Sequence, residues 1–346
     1  MAKVRSFNDT SSVSLAYAIS DNAAREDFNP KAPMSIVPFT TESFSMQKEA
    51  QQSTAITGNR RSRGSKNTRG SANGGVTVEF GSTPFCLDML ALSMLNVWTD
   101  VEAGNPAAGQ FITDGEIKRY AVWEKTIRQG TQATDRLDHE VYYGNIVNEA
   151  TMEFGDAELI TLALTTIGAY ADYTNALAGA DNLGGSLASA KVPFEDYEIA
   201  DSSNNLANIE IRDADGALME VTFSDASLAI SNNAREQTGL SHEFAAGIGI
   251  GKVGVTFSGT IYYFNQAALD AHMKNKRMSV KFNISTEQGT FVFHLPNLMA
   301  QSPTSNAEGE NADYTTAITL VAEEGEVTIG GEVVNCVLAI EHVPTP

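Results

Sequence analysis

The chain has 346 residues, of which 42% are hydrophobic, and it carries a formal net charge of −20. This length accommodates two domains of ordinary size, and the hydrophobic content excludes global disorder. The acidity excludes strong non-specific binding to nucleic acid or anionic lipid, because like charges repel. No stretch has the apolar length of a signal peptide or a membrane span, so we expect a protein made in the cytosol, with no membrane partner.

The first elements in the chain are a predicted arm and a long hairpin. Residues 1–36 are polar and interrupted by prolines, as is typical of an N-terminal arm. From Val37 the alternating stretch VPFTTESFSMQKEA predicts a strand, and GGVTVEF (Gly74–Phe80) predicts its partner. The glycine-rich loop before the second strand, Thr57–Gly75, is basic in an otherwise acidic protein, and its cations are Arg60, Arg61, Arg63, Lys66 and Arg69.

A helix is predicted next, in TPFCLDMLALSMLNVW, because Thr83 can cap its N-terminus and Pro84 suits its first turn. The following stretches IKRYAVWEKTI, EVYYGNIVNEATMEF and ELITLALTTIGAYA have the character of strands. Residues 37–176 therefore form a mainly β domain with one helix. The Gly-, Ala- and Ser-rich residues 177–190 have the composition of a linker.

The second half, residues 191–346, repeats this order of elements. The stretch beginning at Ser43 corresponds to SLAISNNAREQTGLS at Ser227, and GGVTVEF corresponds to KVGVTFSG. The helix recurs as FNQAALDAHMK with Asn265 as its cap, and the later strands recur as RMSVKFNIS, FVFHLPNLMAQS and TTAITLVAEEG. Identities are few, but the shared order indicates a tandem duplication. The copies differ mainly in the basic loop and in residues 100–116, which the second copy nearly lacks.

The sequence motifs that could indicate a catalytic, cofactor or metal site are weak. A GxGxxG pattern at Gly249, Gly251 and Gly254 precedes a strand, whereas a dinucleotide site needs a helix there, so a hairpin arm is favoured. Asp215-Gly216 resembles part of a calcium loop but is explained better by a hairpin turn. The histidines lack zinc-site spacing, and no nucleophile elbow is present. We therefore expect no enzyme, no cofactor and no metal.

Only two cysteines occur, Cys86 and Cys336, far apart in the sequence. They suggest neither a disulfide framework nor a thiolate metal site, and we expect buried free thiols. The basic loop lacks aromatic residues for stacking on bases, so nucleic-acid binding is a poor explanation for it. We interpret the loop instead as an arm for self-assembly, whose cations pair with carboxylates on a neighbouring subunit.

The order of elements described above is similar to that of the major tail tube proteins of long, flexible-tailed (siphovirus-type) bacteriophages. The similarity covers residues 35–175 directly and residues 220–325 through the repeat. It implies a mainly β (α+β) fold with two tandem β-sandwich tube domains, each with a flanking helix. In that family six such domains form a ring whose inner strands make one continuous β-barrel, and the rings stack into a tail.

The resemblance also implies roles for particular segments. The long hairpin loop reaches the adjacent ring, which assigns the inter-ring contact to Arg60, Arg61, Arg63, Lys66 and Arg69, and to residues 234–252 in the second copy. Because the chain is duplicated, three chains would close a ring of pseudo-sixfold symmetry. An acidic channel wall would let DNA pass as cargo without gripping it.

For that wall, we expect the carboxylates Glu42 and Glu79 to face the channel. The other implied partners are a tape measure protein and tail tip or terminator proteins, and the implied location is the virion tail, assembled in the host cytoplasm. Alternative interpretations are a tail terminator or capsid decoration protein, a secreted two-domain β-sandwich binding module and, least favoured, a glycoside hydrolase.

Overall fold

The computed structural model describes residues 12–21, 33–56, 58, 61, 63–128, 136–177, 191–207, 209–213, 215–219, 221–262, 267–306 and 313–345. Arg60, the helix cap expected at Asn265 and nearly all of the expected linker 177–190 lie outside these ranges. Over the described residues the fold is mainly β, with the α-helices α1 (Pro84–Met94) and α2 (Ala267–Met273), so the predicted fold class is confirmed.

The first half consists of two sheets packed around a core. Its strands, with α1 between the fifth and sixth, are β1 (Val13–Ser20), β2 (Met34–Val37), β3 (Thr41–Glu42), β4 (Ser45–Gln52), β5 (Ser65–Glu79), β6 (Thr99–Asp100), β7 (Gln110–Thr113), β8 (Tyr120–Arg128), β9 (Arg136–Phe154), β10 (Thr161–Ile167) and β11 (Tyr170–Leu177). One sheet has the order β2–β1–β8–β9–β11, and the other the order β3/β4–β5–β10–β9. The long strand β9 belongs to both.

The second half has the same construction, with α2 between β18 and β19. Its strands are β12 (Lys191–Val192), β13 (Glu210–Asp213), β14 (Leu218–Met219), β15 (Phe223–Ser231), β16 (Arg235–Gln237), β17 (Gly247–Gly249), β18 (Gly254–Tyr262), β19 (Arg277–Thr286), β20 (Gly289–Asn306), β21 (Thr315–Glu323), β22 (Gly325–Ile329), β23 (Glu332–Cys336) and β24 (Ala339–Pro344). Strand β20 is shared between its two sheets, as β9 is in the first half.

The sequence repeat reappears as a repeated pairing order. Neighbouring strands follow one another as β1–β8–β9–β10–β5–β3 in the first half and as β13–β19–β20–β21–β18–β15 in the second. The shared tripeptide Gly-Val-Thr, which ends at Thr77 in β5 and at Thr256 in β18, fixes the correspondence. Thr41 lies opposite Thr77, and Ala229 lies opposite Thr256. The strand pairings therefore make Ser231, and not Ser227, the counterpart of Ser43. Strand alternation alone cannot detect such a shift between the two copies, because an even-numbered shift leaves every side chain on the same face.

Part of the expected N-terminal arm belongs to the folded core. Strand β1 pairs along its whole length with β8, from Val13 opposite Ile127 to Ser20 opposite Tyr120. Leu15 is fully buried in the main core, while its neighbour Ala16 packs in a second cluster on the other face. A short strand buried on both faces lacks the polar alternation that would distinguish it from a loose segment.

Helix α1 agrees with its predicted start. The Thr83 hydroxyl oxygen accepts a hydrogen bond from the Cys86 amide at 3.1 Å, and Pro84 occupies the first turn. The helix ends at Leu95, which adopts a left-handed conformation with φ of 50°. Most of its side chains are buried on all sides, so α1 lies within the core between the two halves.

A buried ion pair connects the start of the second half of the chain to the first half. The Lys191 ammonium lies 2.8 Å from Glu124, whose side chain is 0% exposed, and it donates to the Thr126 hydroxyl at 2.6 Å. His139 contacts the same carboxylate at 3.3 Å. A buried carboxylate needs such partners to offset its lost hydration. The domain boundaries 37–176 and 191–346 stay predictions.

Candidate assembly surfaces

One sheet runs through both halves of the chain, and we call it the joined sheet. Its order is β3/β4–β5–β10–β9–β15–β18–β21–β20, and its central junction is the antiparallel pair β9–β15, in which Thr151 lies opposite Ala229. Buried Asn232 secures this junction, since its amide donates to the carbonyls of Ser93 at 3.0 Å and Val147 at 2.9 Å. The two halves are therefore rigidly joined by backbone and side-chain hydrogen bonds.

The joined sheet has one apolar and one polar face. Side chains such as Val78, Leu162, Met152 and Leu228 alternate into the core. The opposite face carries small and hydroxylated residues together with carboxylates, and the carboxylates are Glu79, Glu149, Glu153, Asp225 and Glu323. Glu323 forms an ion pair with Arg277 at 2.8 Å. We call this surface the polar face.

The two carboxylates expected on one wall lie on opposite faces of the joined sheet. Glu42 is paired with Val76, so its side chain points to the same side as the core residue Val76, whereas Glu79 points to the polar face. Glu42 reaches across the sandwich to Lys125 on β8, at 2.7 Å, and only 16% of its side chain is exposed. Glu42 and Glu79 therefore do not share a face of this sheet, and the position of either residue in the channel stays a prediction.

Sequence reasoning missed most of the acidic residues on the polar face. The pattern in β9 contained the signal, because Glu149, Thr151 and Glu153 alternate with the apolar residues Ala150 and Met152. The corresponding pattern is weaker in β15 and β21, where serine, alanine and threonine fill the exposed positions. Small residues do not indicate which face of a strand points to the core until the neighbouring strands are known.

Two hairpins extend from the joined sheet and lie against each other. The first hairpin, β4 with the N-terminal part of β5, contacts the second, β16–β17 with its connecting loop. The Gly70 amide donates to the Glu243 carbonyl at 2.7 Å, and Lys48 pairs with the Glu243 carboxylate. Phe244 of the second hairpin packs edge-on against Tyr170 at 4.7 Å. The GxGxxG glycines belong to this hairpin and the strand after it, as predicted.

The five cations of the basic loop have different surroundings. Arg69 is turned toward the second hairpin, where it pairs with Glu236, a residue that also accepts from the Asn73 amide at 3.1 Å. Arg61, Arg63 and Lys66 lie nearer the tip and are exposed. Arg60 lies outside the described residues. The basic segment thus consists of a base at Arg69, which contacts the second hairpin, and an exposed tip.

Both ends of the joined sheet are open edges. Among the described residues, nothing pairs with the outer edge of β3, although the corresponding strand β15 is paired on both sides. At the other end, the C-terminal half of β20 pairs with β21 on one edge. On its second edge the start of β19 pairs with Leu298 and Met299, and no described strand covers that edge from Ala300 onward. Proteins rarely leave long strand edges unprotected, because an open edge recruits further strands.

Other kinds of site find little support. Both cysteines are free and buried, and burial raises the pKa of Cys86 and raises that of Cys336 to about 12. Among the described residues no group of three or more His, Cys, Asp or Glu side chains is arranged to hold a metal ion. No helix in the described ranges is long and apolar enough to span a membrane. The Asp213–Gly216 segment forms the expected hairpin turn between β13 and β14.

Comparison with known protein families identifies the family of this chain. The family described as phage tail tube protein matches residues 10–333, a range that includes both halves of the joined sheet and both hairpins. A search of curated proteins returns no match. The match extends over more than nine tenths of the chain and replaces the two shorter ranges of resemblance. The chain belongs to the phage tail tube protein family and is a structural protein of the virion tail.

Proposed function

We propose that three copies of this chain close a ring through the open edges of their joined sheets, and that the rings stack into the hollow tube through which DNA leaves the virion. The ring is pseudo-sixfold because each chain supplies two copies of one tandemly duplicated tube domain. DNA passes as cargo without being gripped, and the assembled tube contacts tape measure, tip and terminator proteins. Assembly takes place in the host cytoplasm.

The observation that carries this proposal is the β9–β15 junction. In this junction two strands pair in antiparallel orientation. Along the joined sheet, β9 is the last strand of the first half and β15 is the first strand of the second half. The equivalent last strand of the second half is β20, and the equivalent first strand of the first half is β3. Both have an open edge, so β20 of one chain can pair with β3 of the next as β9 pairs with β15. This repetition closes after three chains if each half turns the sheet by one sixth of a circle.

The repeat also supplies a register for the joint between chains. Thr151 corresponds to Met299, because each lies opposite an equivalent residue, Ala163 in β10 and Val321 in β21. Ala229 corresponds to Thr41, as the ladders with β18 and β5 indicate. Since Thr151 lies opposite Ala229 within the chain, Met299 should lie opposite Thr41 of the next chain. This register requires Arg277 and Met278, at the start of β19, to release Met299 and Leu298 on assembly.

The resulting ring would have a wide, acidic lumen. Each chain contributes eight strand positions to the joined sheet, four from each half, so three chains give a barrel of about 24 strands. Barrels of 16–18 strands already enclose an aqueous channel, and a larger one is wider still. The polar face, including Glu79, would line this channel, and its carboxylates would repel phosphate groups and prevent DNA from adhering.

Electron microscopy of the concentrated protein tests the proposal. We expect hollow tubes whose end-on averages show three chains and six similar domains per ring. Single rings that never lengthen would favour a terminator or decoration protein. Six chains per ring would refute the use of both halves in ring closure, and monomers at all concentrations would contradict self-assembly and favour a binding module.

A further inference from the structure

A pocket of about 250 Å³ opens beside the N-terminus of α1, at the end of β5 that is farthest from the hairpins. Its apolar lining includes Ile36, Pro38, Phe85 and Val192. Phe194, at its mouth, is 50% exposed although it is a large aromatic residue. The function proposed above leaves this apolar pocket and the exposed ring of Phe194 without a role, and such surfaces commonly mark binding sites.

The rim of the pocket is acidic. The exposed carboxylates Glu195 and Asp196 follow Phe194 along the chain. Tyr197 fixes this segment to β5, because its hydroxyl donates to the Glu79 carbonyl at 3.2 Å. An apolar pocket surrounded by carboxylates fits a ligand that combines an apolar side chain with cations.

The tip of the first hairpin has this combination. Ile56 is 99% exposed, which is unusual for an isoleucine, and the exposed cations Arg61, Arg63 and Lys66 follow it within ten residues. Hydrophobic anchors with charged surroundings are typical of protein interfaces. The tip therefore complements the pocket both in polarity and in charge.

Geometry prevents one chain from making this contact with itself. The tip and the pocket lie at opposite ends of the same strand, β5, and the 13 residue steps from Lys66 to Glu79 span about 43 Å in extended conformation. A surface at one end that complements a surface at the other end forms a head-to-tail contact, and repetition of such a contact yields an open filament. The partner is therefore a second copy of this chain, displaced along the axis of β5.

We propose that the pocket receives the first hairpin tip of a chain in the adjacent ring, with Ile56 as the apolar anchor and Arg63 and Lys66 facing the carboxylates of Glu195 and Asp196. This inference rests on the tube function proposed above and identifies the surface that accepts the hairpin. It also explains why the exposed cations are at the tip of the hairpin, while Arg69, at its base, is paired with Glu236 of the same chain.

Photo-crosslinking identifies the occupant of the pocket. Phe194 is replaced by p-benzoylphenylalanine, which keeps the aromatic ring, and assembled tubes are irradiated and analysed by mass spectrometry. We expect capture of the peptide that contains Ile56, from a different chain. Capture of residues 1–11 of the same chain, or of no peptide from residues 53–66, would overturn the proposal.

A charge exchange tests the rim. The change R63E/K66E should shorten tubes at least tenfold, while single rings still form, and adding E195K/D196K to the same chain should restore their length. Ile56→Asp should also block stacking, whereas the control Val333→Asp, at an apolar residue 63% exposed on another hairpin, should not. Normal tubes from R63E/K66E and from Ile56→Asp would refute the proposed contact. Loss of the rings themselves would instead contradict the ring closure proposed above.

Discussion

The C-terminal halves of β9 and β20 occupy equivalent places in the two halves of the molecule. Among the described residues β9 is paired on both edges as far as Glu153, whereas β20 is paired on one edge only beyond Met299. On β9 the second edge carries β15, which follows later in the same chain. On β20 the second edge is open beyond Met299, and the matching open edge is that of β3 at the other end of the joined sheet. The difference suggests that the β9–β15 junction forms when a single chain folds, because both strands belong to that chain. The equivalent junction, between β20 of one chain and β3 of the next, forms only on assembly.

The two hairpins differ in a similar way. The base of the first hairpin is held by the second through Arg69–Glu236 and Lys48–Glu243. Ion pairing with Glu243 raises the pKa of Lys48, so this amine stays charged at neutral pH. The tip, in contrast, carries Ile56 in full contact with solvent. A long hairpin that is ordered at its base is well suited to present its tip to another molecule, because less conformational entropy is lost on binding.

The largest effect is expected from Glu42→Pro at the open edge. The Ser43 amide donates to Gly75 of β5 at 2.9 Å, so the preceding amide, that of Glu42, points toward the open edge. Proline removes this donor from each of three junctions, which costs about 3–5 kcal/mol per ring. Ring formation, followed by analytical ultracentrifugation, should weaken by two to three orders of magnitude. Glu42→Ala, which keeps the amide, should still form rings, and equal loss in both variants would point to the Lys125 ion pair instead.

Acid should weaken the joint that β7 makes with β24. Burial lowers the pKa of His342 to about 4, and Ser82 at the start of α1 hydrogen-bonds to its ring at 2.7 Å. The folded pKa is below that of the unfolded chain, near 6.5, so this stabilisation is complete above pH 6.5 and is lost as the pH falls toward 4. The loss amounts to about 3 kcal/mol.

Urea unfolding of the wild type and of His342→Gln at pH 7, 5 and 4 measures this effect. Glutamine is uncharged at all three pH values, so we expect the difference in unfolding free energy between the two proteins to change with pH. A constant difference across that range would show that His342 does not titrate in the predicted way.

Asn232→Ala should destabilise the junction that is completed within the chain. The change leaves the buried carbonyls of Ser93 and Val147 without the donor they share, at a cost of about 2 kcal/mol in the free energy of unfolding. The matched control is Asn297→Ala, which removes one exposed hydrogen bond to the Glu324 carbonyl. If the two variants lose equal stability in urea, Asn232 does not have the structural role assigned to it.

The smallest structural effect is expected from Glu79→Lys on the polar face. Glu79 is half-buried at the end of β5 and has no charged partner in the sheet register, so rings and tubes should form at normal yield. A cation in the channel would attract phosphate groups, and DNA release from complemented virions should slow severalfold. Glu79→Gln is the control for lost charge. Unchanged release by the lysine variant would contradict the placement of Glu79 in the lumen.

Local signals in the sequence predicted most of the elements. Thr83 and Pro84 determine where α1 begins, and β-branched residues identify β5 and β18. Non-local pairings could not be predicted in this way: β7, from the loop that distinguishes the first copy, completes the sheet of β24 in the second half. Strand β1 was also missed as part of the core, because both of its faces are buried.

The candidate surfaces were predictable only in part. Alternation grouped Glu42 with Phe44, but only the packing of Phe44 against Trp123, at 5.1 Å, shows that this side faces the core. The basic loop was recognisable from composition, whereas the partner of Arg69 lies 167 residues away in sequence. Two charged residues that are close in space but distant in the sequence produce no local sequence pattern. The division of the basic loop into a base and a tip could therefore be seen only in the structure.

Cysteine cross-linking tests the central claim most directly. A chain with Thr41→Cys and Met299→Cys should form disulfides between chains in assembled rings, because opposed residues of an antiparallel pair lie about 4.5–5.5 Å apart, within disulfide range. The matched control, Thr151→Cys with Ala229→Cys, should cross-link within one chain. On a denaturing gel we predict a ladder that ends at three chains. A ladder that continues to six, or control cross-links without any between chains, would contradict closure of the ring by three duplicated chains.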